Sequence, residues 1–128
     1  MSGWEREEIP DQDRLFMRVH INTWVRNDEV LPGAFDNRPA GAAGMSTDWE
    51  RYSTPEETRE RGRNPWRQAV IEFLVGDARA LPGQTVEHRP QDDNRAHTEV
   101  VGEKSEKVRV KFTRIWKWAI QPQASPSA

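Results

Sequence analysis

The chain has 128 residues, with 19 Lys and Arg against 21 Asp and Glu, three His and no Cys, for a formal net charge of −2. That length fits one domain, and the lack of cysteine excludes a disulfide framework, thiolate metal sites and a cysteine nucleophile. The near-neutral balance gives no global attraction to nucleic acid or anionic lipid, and with only 34% apolar residues the core is expected to be small, a shortfall that six tryptophans offset in part.

Residues 1–13 are acidic, with Trp4 and Ile9 as their only sizeable apolar groups. They lack the apolar stretch of a secretory signal and read as a loosely ordered lead-in. "LFMRVHI" alternates: Leu15, Met17, Val19 and Ile21 fall on one face, and Phe16, Arg18 and His20 on the other. This predicts a strand over 15–21. "PGAFDNRPAGAAG" is a turn-rich loop leading to the polar stretch "MSTDWERY".

"TPEETRERG" predicts a short surface helix over 55–61. Thr54 suits the N-cap, Pro55 the first helical position, Glu57 completes a capping box and Gly62 supplies a stop. "QAVIEFLV" is apolar on both faces and predicts a buried central strand over 69–75. Two more short strands are expected at 85–88 and 97–101, joined by the polar loop "RPQDDNRA". In "SEKVRVKFTRIWKWAI", Val108, Val110 and Phe112 alternate as in a strand. Val108, Phe112, Ile115, Trp116 and Ala119 also share one helical face, with Lys104, Lys107, Lys111 and Arg114 opposite. Two stripes at the helical period predict a C-terminal amphipathic helix over 105–119. The ending "QPQASPSA", 121–128, lacks large apolar groups and is expected to be a disordered tail.

The expected fold is therefore α+β. A single domain over 14–120 holds a small mixed β-sheet flanked by the surface helix and the C-terminal helix. Trp66 and Trp116 are expected to be buried and Trp4 exposed. No run is long enough to span a membrane, and the chain is expected to be cytoplasmic.

Few residues can carry chemistry. Arg18 and His20 share a strand face and would suit a phosphate or carboxylate. His97 stands where loop becomes strand, placed either to shape the loop through a backbone bond or to move a proton. His88, Asp92, Asp93 and His97 lie within ten residues, but their spacing fits no metal motif, so neither metal nor cofactor is expected. Ser46 is outside any nucleophile-elbow pattern, and no phosphate-binding glycine loop occurs.

The segments "RLFMRVH", "MSTDWERYSTPEE", "NRAH" and "VVGEKSEKVRVKF" resemble a loose group of small bacterial proteins. The shared pattern is an early R-x-H, a middle S-x-D and a late A-H-x-x-V-x-G. In this chain it falls on Arg18 and His20, on Ser46 and Asp48, and on Ala96, His97, Val100 and Gly102. The resemblance implies a bacterial origin and singles out the two histidines, but it implies no reaction.

Two functional expectations follow. The leading one is an interaction or accessory module, of the conflict-system kind, that binds another protein through Lys107, Lys111, Arg114 and Trp118; nucleic acid is the less favoured partner. The alternative is an enzyme acting on a nucleotide-like or phosphorylated substrate. There Arg18 and Asp48 would bind substrate, and His20, His97 and Ser46 would be catalytic. A cleft where these groups converge would separate the two.

Overall fold

The computed structural model describes residues 3–39 and 41–123. The chain is α+β. In order it forms β1 (Arg14–His20), α1 (Ile21–Trp24), β2 (Val25–Arg26), β3 (Glu29–Val30) and a 3-10 turn (Pro32–Ala34). Next come β4 (Gly44–Trp49), α2 (Pro55–Glu60), a second 3-10 turn (Pro65–Arg67), β5 (Gln68–Leu74) and α3 (Val75–Arg79). The last elements are β6 (Thr85–His88), β7 (His97–Val101), α4 (Glu106–Phe112) and β8 (Lys117–Ile120). Six strands make one sheet in the order β6-β7-β4-β1-β5-β8, with β2-β3 as a separate ribbon. The sheet was expected to be mixed, but each of its pairings is antiparallel.

Strand alternation sorts the side chains onto two faces. Leu15, Met17, Val19, Met45, Trp49, Ile71, Phe73 and Val100 point into the main core, where Phe35 and Phe112 join them. The Phe35 and Phe112 rings stack at 5.2 Å, and Phe73 meets Phe112 edge-on. The opposite face carries Phe16, Arg18, Asp48 and Glu72, aligned by the Phe16–Asp48 and Phe16–Glu72 register. α2 packs over this second face. Its capping box forms as the sequence predicts, with Thr54 and Glu57 bonding each other's backbone N–H, and it buries a threonine, Thr58, rather than an apolar stripe. Because both faces are covered, β5 is buried from Ala69 to Phe73, which is why it reads as a continuous apolar run.

The C-terminal segment contains both structures that its pattern allowed. Residues 106–112 are helical, capped by Ser105, and bury Val108 and Phe112. The chain then turns, and 117–120 pairs with β5 as an edge strand. The predicted single helix over 105–119 is thus corrected. Its polar stripe is also broken, because Lys104 is buried, its amine donating to the carbonyls of Val100 and Gly102. Burial pushes its pKa down to about 8, and Asp36 partly opposes that shift.

Other expectations change for local reasons. Ile21 begins α1 instead of ending the strand. Trp66 is 62% exposed, in the turn before β5. Trp116 is half-buried, Trp4 is exposed as expected, and the fully buried tryptophan is Trp49, whose indole N–H donates to Asp13.

The lead-in is docked on the body. Ile9 is buried, the Asp11 and Asp13 carbonyls accept from Gly76 and Val75, and Glu7 accepts from the Tyr52 hydroxyl. That bond, helped by Arg51, His88 and Arg95 and opposed by burial, holds the Glu7 carboxyl below its usual range. Part of the expected tail, 124–128, lies outside the described residues.

Candidate functional site: a cleft where two central strands part

β1 and β4 are neighbours in the middle of the sheet, yet their register holds only Leu15–Trp49 and Phe16–Asp48. β1 pairs with β5 over its whole length, and β4 pairs with β7 from Gly44 to Asp48. The two strands therefore part beyond Phe16 and Asp48. A cavity of about 530 Å³ lies at this fork, within the usual range for a small-molecule site. Phe16, Met17 and Arg18 line it from β1, and Met45, Ser46, Thr47 and Asp48 from β4. Ala34, Asp36 and Arg38 close it from the first loop, Thr58 and Arg61 from the α2 region, and Gln91, Asp93, Asn94 and His97 from the β6–β7 connection.

Four of the five residues singled out for the enzyme reading share this cavity: Arg18, Ser46, Asp48 and His97. The fifth does not. His20 lies on the same sheet face, but four residues along β1 and two strands across from His97. Strand dimensions put them at least roughly 16 Å apart. His20 Nδ1 meets the Thr23 hydroxyl instead.

Asp48 is the fixed point. Only 3% exposed, it accepts at Oδ2 from Thr58 Oγ1 at 2.9 Å and Arg61 Nη1 at 2.8 Å, and at Oδ1 from Asn94 Nδ2 at 2.8 Å. A buried carboxylate needs such partners. Here they tie β4 to α2 and to the β6–β7 loop, so Asp48 builds the cleft wall and its oxygens are already engaged. Asn94 extends the tie by accepting from the Ala96 N–H.

His97 makes the loop-shaping backbone contact weighed for it. Its Nδ1 lies 3.0 Å from the Arg89 carbonyl, so Nδ1 carries the proton and donates. This leaves Nε2 as a lone-pair acceptor, assigned from the partner, and no described residue bonds it. His88, by contrast, belongs to the other face. Its Nδ1 accepts from the Glu7 N–H and its Nε2 donates to the Arg95 carbonyl, with the ring against Trp49. The two histidines are thus on opposite sides of the sheet. Among the described residues, no group of three or more His, Asp or Glu side chains is placed to hold a metal ion.

The arginines of the cavity differ in how their charge is met. Arg61 is paired with Asp48. Arg18 has one bond, from Nη1 to the Thr58 carbonyl at 2.8 Å. Arg38 donates to the Ala34 and Gly33 carbonyls and lies over the Trp24 ring at 4.9 Å. Neither Arg18 nor Arg38 has a carboxylate partner among the described residues, so two guanidinium charges that line the same cavity are held by neutral oxygens. Gly62 contributes by its lack of a side chain: a Cβ there would stand 2.6 Å from Arg18 Cδ. The glycine that reads as a helix stop is also the space through which Arg18 reaches Thr58.

Arg38, Asn94, Gln91 and Asp93 are site residues the sequence reading missed. Asp93 is exposed and has no partner among the described residues. The signal available was the density of polar side chains in "RPQDDNRA", which is indistinguishable from an ordinary turn.

The residues proposed for partner binding lie elsewhere. Lys107 and Lys111 are exposed on α4 and Arg114 is exposed after it, while Trp118 is half-buried and packs edge-on against Trp116 at 4.7 Å. Among the described residues, no helix is long and apolar enough to cross a membrane.

No family model, curated protein or solved structure matches the chain.

Proposed function

We propose that the cleft between β1 and β4 binds a small ligand through a phosphate or carboxylate group, and that His97 moves a proton on that ligand. The observation that carries this reading is the pair of guanidinium groups, Arg18 and Arg38, which line a cavity shared with Asp36, Asp48 and Asp93 yet have no carboxylate partner among the described residues. Guanidinium forks suit such anions, and charge-assisted bonds are the stronger ones. Arg18 keeps Nη2 and Nε for the anion. The Ser46 hydroxyl, exposed on the β4 wall, positions the ligand. His97 Nε2 accepts the proton, its orientation fixed through Nδ1. Asp48 supports the wall instead of contacting the ligand as the sequence suggests.

Of the two expectations from sequence, the enzyme reading gains from this convergence. The interaction-module reading rests on Lys107, Lys111, Arg114 and Trp118, and the burial of Lys104 shortens its basic stripe. The sequence points to a nucleotide-like compound as one example of such a ligand, and the bacterial, cytoplasmic setting belongs to the same reading. Calorimetric titration with inorganic phosphate and adenosine monophosphate at low salt tests it. Saturable binding that is lost in Arg18→Ala and kept in His97→Gln is expected. Equal binding by Arg18→Ala, or no binding by the wild type, would contradict it.

A further inference from the structure

The fork exposes main chain as well as side chains. Along β1, the Asp13 carbonyl accepts from Val75 on the β5 side, and the Arg14 carbonyl accepts from Glu50 on the β4 side. Backbone groups alternate along a strand, so those of Phe16 and Arg18 also face β4. Along β4, Glu50 donates towards β1, while Trp49 donates to Ala96 on the β7 side. The backbone groups of Asp48 and Ser46 therefore face β1. Phe16 and Asp48 sit opposite each other, but the next pair in that alternation, Arg18 and Ser46, has no register partner across the gap. Both residues line the cavity. Each wall of the fork thus presents one N–H donor and one C=O acceptor without a ladder partner.

That combination discriminates between ligands. A phosphate or carboxylate alone satisfies the donors and leaves the two carbonyl acceptors without a partner. An amide chain supplies both. In an extended peptide consecutive residues turn their N–H and C=O to opposite sides, so one residue serves Arg18 and the next serves Ser46. An acidic group beside this pair then reaches the uncompensated guanidiniums of Arg18 and Arg38. We infer that the natural ligand of the cleft is a short acidic peptide segment, seated as an extra strand between Arg18 of β1 and Ser46 of β4. This rests on the cleft being the ligand site and specifies what the ligand is. It is strand addition within a sheet instead of at its outer edge.

The test uses the full ¹⁵N-labelled chain and three probes: acetyl-Ala-Ala-Asp, the same peptide with N-methylated backbone amides, and adenosine monophosphate. The peptide is expected to bind, to shift the Arg18 and Ser46 amides downfield and to slow their hydrogen exchange. The N-methylated peptide should bind roughly tenfold more weakly, as expected for losing a donor that meets a desolvated carbonyl. Adenosine monophosphate should compete without shifting those two amides downfield. Equal binding of the two peptides, or peptide binding that leaves both amides unmoved, would overturn the inference. Binding of the nucleotide alone would also overturn it, while leaving the anion-site reading in place. Binding of no probe would overturn both. Because N-methylation alters only the ligand, folding of a variant is not at issue.

Discussion

Arg14 and Arg18 lie four residues apart on the same face of one strand, and their surroundings are opposite. Arg14 sits at the end where β1 and β4 are zipped together. Its guanidinium donates to both oxygens of Glu72 and to Glu50, and its backbone N–H also donates to Glu50. These hydrogen bonds, Glu50 first, raise its pKa further. Arg18 sits where the strands part and has a single bond, to a carbonyl. Arg38 and Lys104, near the same open end, also bond only carbonyls. Arg14 at the closed end is met by two carboxylates, whereas Arg18 and Arg38 at the open end have none among the described residues. The same residue type is therefore fully paired at one end of β1 and held by a single carbonyl at the other.

Asp48 stands at the junction of the two ends. Asp48→Ala strands Arg61, Thr58 and Asn94 and should destabilise the fold by about 3–5 kcal/mol, the usual result of breaking a buried charged pair. Urea unfolding measures this. A loss under about 1 kcal/mol would mean that the open end does not depend on this tie.

Lys104 gives the next largest effect. Its amine releases a proton at about 8 when folded, against 10.5 ordinarily. Between these values the unfolded chain binds more protons, so the contribution of this group to stability rises with pH there and is flat on either side. The full rise is on the order of 3 kcal/mol. The wild-type minus Lys104→Met difference in unfolding free energy should follow that curve between pH 8 and 10.5. A difference independent of pH would show that the buried amine keeps its ordinary affinity for the proton.

The two arginines themselves sharpen the contrast. Among the described residues, Arg14→Ala leaves the buried Glu72 with only Lys117 at 3.9 Å and should cost about 1–3 kcal/mol. Arg18→Ala should cost under about 1 kcal/mol while removing ligand binding. Similar losses for both would erase the distinction. The smallest change is Gly62→Ala, which pushes Arg18 off its path. Stability should move by less than about 1 kcal/mol, with binding weakened severalfold. Unchanged binding would show that Arg18 reaches the ligand by another route.

The elements that were legible in the sequence are those with one strong local signal. Thr54, Pro55 and Glu57 specify α2, and the alternation of Leu15, Met17 and Val19 specifies β1. β4 was missed because its inward positions are Met45, Thr47 and Trp49, and a buried threonine interrupts the apolar alternation. Thr47 is tolerated there because its hydroxyl donates to the Thr98 carbonyl, a long-range partner that no local pattern announces. The break at Thr113–Trp116 was hidden because Ile115 and Trp116 pack on the same core as Val108 and Phe112, so the apolar spacing continues through a change of structure. At the site, Arg18, Ser46 and His97 stood out as types and positions. Their convergence depends on two strands diverging, and that divergence leaves no trace in residue type. Arg38 was invisible because its role comes from being held by carbonyls and an aromatic ring.

An anion is expected to meet the open end of the sheet, and not the closed end. Arginine Nε–Hε resonances followed by NMR during titration with inorganic phosphate test it residue by residue. Saturable shifts at Arg18 and Arg38 with Arg14 unmoved are expected. Shifts at Arg14, or at exposed arginines generally with Arg18 and Arg38 silent, would contradict it.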